Sequence, residues 1–160
     1  MIAAHTAAIP KRNVFANAHF RVEPCASCPI GGYLIVSPRV RVSSLAELSP
    51  GAQEALGVTL AAATRAIESV VRPRRVYCAL FAEESSSVHF HLFPRSDWLL
   101  TSYARSHPQD TDISGPRLLD WARSNFRHAA PDYEPVTEAI FRALHQIIQP
   151  IAPSNRWAMR

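Results

Sequence analysis

No uninterrupted apolar stretch in these 160 residues approaches the roughly 20 that cross a bilayer, so nothing in the sequence reads as a membrane span. The opening Met1 to Pro10 lacks a basic region followed by a sustained apolar core, which argues against a secretory signal and for a cytoplasmic protein. Cysteine is scarce: three residues cannot all pair within one chain, and Cys25 with Cys28 would close a very small loop. A disulfide framework is therefore excluded and reduced thiols are expected. Cys25-Ala26-Ser27-Cys28 has the spacing of half a zinc site, but no second ligand pair at finger-like spacing follows, so it reads as a Pro-flanked turn. Charge is also sparse, at 19% of residues with a net +4. The basic residues, nearly all arginine, are scattered and form no stripe of the kind that marks a nucleic-acid surface. Arginine grips phosphate oxygens bidentately, so a phosphate-bearing small molecule is the better-supported partner. There is no internal repeat and no low-complexity tract.

What is present is an apolar fraction of 48%, ordinary for a globular chain of one domain, which at this length buries roughly 68–70% of its unfolded surface. From Val14 to Val22 apolar side chains at even positions alternate with Asn17, His19 and Arg21, predicting one half-buried strand. Prolines and glycines between Pro24 and Gly32 then turn the chain into Tyr33-Leu34-Ile35-Val36, its antiparallel partner. Ser49-Pro50 supplies an N-cap and a favoured first helical residue for an Ala/Leu-rich helix over residues 50–71, which Pro73 must end. Arg75 to Ala82 reads as an apolar strand, joined by the polar turn Glu83-Glu84-Ser85-Ser86 to a second strand as a hairpin. Residues 101–114 show little periodicity and are expected to be a loop. Two amphipathic helices follow, one after Gly115-Pro116 with Leu118, Leu119, Trp121, Ala122 and Phe126, the other after Glu134-Pro135 with Ile140, Phe141, Leu144, Ile147 and Ile148.

The second strand of the hairpin carries the chemistry: Ser87-Val88-His89-Phe90-His91-Leu92-Phe93-Pro94-Arg95. On an extended backbone Ser87, His89 and His91 share one face while Val88, Phe90 and Leu92 share the other. The apolar set can bury, which leaves two imidazoles side by side facing a cleft or solvent. Imidazole is a nucleophile, proton carrier and metal ligand near neutral pH.

The order strand, Pro/Gly turn, strand, long helix, strand, short turn, then His-apolar-His-apolar-apolar-Pro-Arg resembles the histidine triad family of nucleotide hydrolases and transferases. The likeness covers roughly residues 12–98, carried by His89 to Arg95 and supported by Leu34 to Arg39 and Leu45 to Ser49. It implies an α+β fold with a five-stranded, mainly antiparallel sheet and one long helix packed on its apolar face. Residues 1–100 would form the nucleotide-binding and catalytic domain, and 101–160 a two-helix C-terminal extension of it. The resemblance further implies that His89 attacks the α-phosphorus of a dinucleoside polyphosphate or nucleoside phosphoramidate, giving a nucleotidyl-histidine that water hydrolyses. His91 and Ser87 would orient phosphate, Arg95 and Arg41 would contact it, and Glu23 would hold the ribose hydroxyls. No metal or other cofactor is implied. Family members often pair into homodimers, and this chain is expected either to do so or to cap that surface with its extra helices.

Three positions depart from the family pattern. Ser87 stands where the first histidine belongs, Tyr33 where many members have a histidine after glycine, and Arg41 where many close a Pro-basic-x-His stretch. A serine can donate or accept one hydrogen bond but shuttles no proton near neutral pH. Tyr33 and Arg41 keep donors at the nucleotide-binding and phosphate-binding positions, yet neither is a good proton carrier. A nucleotide-binding protein without efficient turnover is therefore the alternative. A His-x-His metal site is a further one, opposed by the lack of a Glu soon after the pair and by the long helix before the hairpin. Trp98 could close over a base by stacking but reads better as a plug at the core's rim, His19 reads as a structural residue, and Glu83 and Glu84 as solvated turn residues.

Overall fold

The computed structural model describes residues 14–82, 85–130 and 133–148; Met1 to Pro10 and the turn residues Glu83 and Glu84 lie outside them. Five strands, β1 (Phe15–Ala16), β2 (Phe20–Pro24), β3 (Leu34–Pro38), β4 (Val76–Ala79) and β5 (Phe90–Pro94), form one antiparallel sheet in the order β1-β2-β3-β5-β4. The expected α+β architecture is what folds. The single strand expected over residues 14–22 is instead two. Asn17 Oδ1 accepts from the backbone N–H groups of His19 and Phe20, and this side-chain turn reverses the chain, so that Phe15 lies opposite Val22. Asn17 Nδ2 also donates to Thr59 Oγ1, tying the turn to the long helix.

That helix, α1 (Pro50–Val71), has the limits its signals predict. The Ser49 hydroxyl accepts from Ala52 N–H at its start, and Arg72 closes it in the left-handed region. Small residues on its inner stripe, Ala62, Ala63 and Ala66, let it lie close on the sheet beside Ile67. The helix α4 (Tyr133–Ile148) packs against it, with Ile140, Phe141 and Leu144 buried in the same core as Phe20, Val22, Leu34, Val36, Phe90 and Leu92. One face of the sheet thus carries two helices rather than one.

The other face has its own core at one end. Residues expected to be loop begin with a helix, α2 (Asp97–Ser106), because Leu99 and Tyr103, four apart, both bury beneath α3 (Gly115–Asn125). Leu118, Leu119 and Ala122 of α3 meet Cys28, Ile30, Tyr33 and Phe93 there. The start of α3 rests on the Tyr77 ring: a Cβ on Gly115 would come within 2.7 Å of it. Trp98 packs edge-on against Phe126 at the rim of this cluster, as a plug would. The α2–α3 unit covers the Phe93 end of the sheet. No helix among the described residues is long and apolar enough to cross a membrane.

Candidate active site

The sheet register sets the site. Tyr33 neighbours Cys25 through the Cys25 N–H to Tyr33 C=O bond of 2.9 Å. The next row on the same face runs Glu23, Ile35, His91, Ala79 across β2, β3, β5 and β4. His89 follows one pleat beyond, just before β5 begins. Val88, Phe90 and Leu92 all bury on the α1 side, so the predicted parity holds through the motif even though the regular ladder starts only at Phe90. His91 does not face open solvent: it is 6% exposed, packed between the rings of Tyr33 and Phe81 and beside that of His89.

The two imidazoles are held differently. His89 Nδ1 lies 2.9 Å from the carbonyl oxygen of Ser87. A carbonyl can only accept, so Nδ1 carries the proton and the lone pair of the neutral ring is on Nε2. His91 Nδ1 lies 2.8 Å from the Tyr33 hydroxyl, and the His89 and His91 ring centroids are 4.8 Å apart, edge to face. Tyr33 is wholly buried, and burial followed by the nearby Cys25 pushes its phenol pKa up, so it stays a neutral O–H. Burial likewise pushes the Cys28 thiol up to about 12, with Cys25 adding to the shift.

His89 and His91 border a cleft of about 270 Å³, walled by the turn Cys25, Ala26 and Ser27, by Ile35 and Phe81, and by Arg123 reaching in from α3. The volume is below the roughly 300–1,000 Å³ of pockets that enclose a whole small molecule.

Of the residues expected at the site, the structure brings His89, His91 and Ser87 together, Ser87 through its backbone carbonyl. Tyr33 stands behind His91 rather than in the cleft. Glu23 shares the row of His91, two strands and thus about 10 Å away, and its carboxylate is 3.3 Å from Arg21 Nε. The two arginines are not brought there. Arg95 lies about 13 Å along the strand from His91, beyond Phe93, and donates from Nη1 to the Tyr77 hydroxyl at 2.9 Å. Arg41 is an exposed residue after β3 and does not border the cleft. Sequence reasoning missed Arg123, which lies in another element and carries no local signal beyond following the buried Ala122. Cys25 and Cys28 are free thiols, and no group of three or more His, Cys, Asp or Glu residues that could hold a metal occurs among the described residues.

No family model matches the sequence, and no curated protein matches it significantly. The fold has solved counterparts. A hypothetical histidine triad nucleotide-binding protein from Sulfolobus tokodaii superposes with TM-score 0.58 at 12% identity, over 88% of this chain and 87% of that one. A Zn-bound histidine triad family protein from Mycobacterium smegmatis gives 0.55 at 16% identity, over 84% and 85%. A HIT-like protein involved in cell-cycle regulation from Bartonella henselae gives 0.54 at 15%, over 81% and 84%. The chain has the histidine triad fold, as its motif led one to expect.

Proposed function

We infer that the protein is a nucleotidyl hydrolase or transferase that cleaves at the α-phosphate of a nucleotide through a nucleotidyl-histidine on His89. The observation that carries this reading is the bond between His89 Nδ1 and the Ser87 carbonyl, 2.9 Å long, which fixes the tautomer with an Nε2 lone pair. Attack by Nε2 forms an N–P bond as the bond from phosphorus to the leaving group breaks. Water then attacks the same phosphorus, the N–P bond breaks, and the imidazole returns with the nucleoside monophosphate released. His91 complements it in the opposite sense. Its Nδ1 faces a phenol that stays protonated; with that O–H donating, the imidazole proton sits on Nε2, where it can donate to a phosphoryl oxygen as charge spreads over it. In this reading the two neighbouring imidazoles take opposite tautomers, one a nucleophile and one a donor.

Glu23, in the row of His91, would hold the ribose hydroxyls in this reading. Turnover of diadenosine tetraphosphate and of a fluorogenic adenosine phosphoramidate by wild type and His89→Ala tests the assignment. Equal rates from the two proteins would sink it. Ser87, which brings no proton carrier to the first triad position, favours a second reading, nucleotide binding without efficient turnover. Affinity without turnover in the wild type, with turnover restored by Ser87→His, would select that reading.

A further inference from the structure

Among the described residues bordering the cleft, Arg123 is the one with a permanent charge. It comes from α3, a helix anchored by Leu118, Leu119 and Ala122 in the second core and seated on Tyr77 at its first residue. The C-terminal helices therefore do more than cover the sheet, since they place a guanidinium in the same cleft as His89 and His91. Arg95 donates to Tyr77, and Arg41 does not border the cleft. We propose that Arg123 is a specificity-determining residue that binds the phosphate beyond the α-phosphate, so that the site selects nucleotides carrying a polyphosphate chain.

Two features of the site agree with this and are independent of each other. A cleft of about 270 Å³ accommodates a phosphate chain better than a complete nucleotide. The chemistry of departure points the same way. Ser87 cannot deliver a proton to a leaving amine, whose ordinary pKa is near 10, whereas a phosphate leaving group with a second pKa of about 6 departs as an anion unaided. A guanidinium fork matched to phosphate oxygens stabilises that anion where a proton donor is lacking. The positive charge of Arg123 also reaches the buried groups behind the cleft, opposing the upward shift of Tyr33 and Cys28.

This assignment rests on the nucleotide-binding reading above, and its test separates the two. Calorimetric affinities for ATP and AMP are compared in the His89→Ala background, where no turnover intervenes, with Arg123 intact, with Arg123→Gln and with Arg123→Lys. With Arg123 intact, ATP should bind at least tenfold more tightly than AMP. Arg123→Gln should reduce that ratio to below threefold, with Arg123→Lys between the two because it keeps charge without the fork. Far-UV circular dichroism and an unchanged melting transition establish that each variant is folded. A ratio that survives Arg123→Gln, or no preference with Arg123 intact, overturns the proposal while leaving nucleotide binding standing. Failure of both nucleotides to bind overturns the nucleotide-binding reading and the proposal together.

Discussion

Replacing Tyr33 by Phe removes one oxygen from the interior and leaves every packing contact of the ring in place. Its hydroxyl lies 2.8 Å from His91 Nδ1, and the tyrosine is 1% exposed, so water cannot take the lost partner's place. The net bond contributes about 0.5–1.5 kcal/mol, and the unsatisfied imidazole nitrogen left behind costs about 1–3 kcal/mol. We expect the variant to be about 1–3 kcal/mol less stable in urea unfolding, with the m-value unchanged. The kinetic effect is the sharper one. With Nδ1 unheld, His91 no longer presents a fixed donor to the phosphoryl group, and kcat should fall about 10–100-fold, equivalent to roughly 1.4–2.7 kcal/mol, with KM little altered. If Tyr33 acts through His91, the losses of Tyr33→Phe and His91→Ala must not add: the double variant should be no more than about threefold worse than His91→Ala alone. Losses that add within about 0.5 kcal/mol would refute the coupling, since that is how independent sites behave.

Ser87→His should raise turnover of an adenosine phosphoramidate more than that of diadenosine tetraphosphate, because only the amine needs a proton to leave; equal gains, measured as kcat/KM, would contradict this. Cys28 predicts a definite alkaline sensitivity. Its folded pKa is about 12 against an ordinary 9.0, so stability is intact below pH 9 and falls as pH rises toward 12, at up to about 1.4 kcal/mol per pH unit from this group. Urea midpoints from pH 8 to 11 should fall less steeply for Cys28→Ala. Gly32 sits at φ +90°, and an added Cβ would lie 2.9 Å from Val71 Cγ2 and 3.3 Å from Pro94 Cγ. Gly32→Ala should therefore cost about 1–3 kcal/mol in the same assay, through both backbone strain and crowding.

Much of this was legible where local chemistry and tertiary packing agree. Ser49-Pro50 and Pro73 bracket α1 because capping and the missing proline N–H act within one turn, and the tertiary fold then uses the same limits. Strand parity placed His89 and His91 on the face opposite Phe90 and Leu92, because one buried face fixes which side chains point inward. The break at Asn17 was hidden because alternation reads the same on a strand and across a turn, and the deciding bonds come from a single side chain. α2 was hidden because its ten residues are half polar and its two buried anchors, Leu99 and Tyr103, gain burial only under α3. For the arginines, proximity in sequence misled. Arg95 follows the motif yet reaches Tyr77, while Arg123 arrives from a different helix through packing that no spacing announces.

The nucleophile itself is most directly tested by mixing the protein with excess diadenosine tetraphosphate, quenching within seconds in alkaline denaturant, which preserves an N–P bond, and measuring intact mass. One nucleoside monophosphate on the wild-type chain, mapped by peptide sequencing to His89 and absent from His89→Ala, is the predicted result. An adduct on any other residue, or hydrolysis by His89→Ala at the wild-type rate, would contradict it.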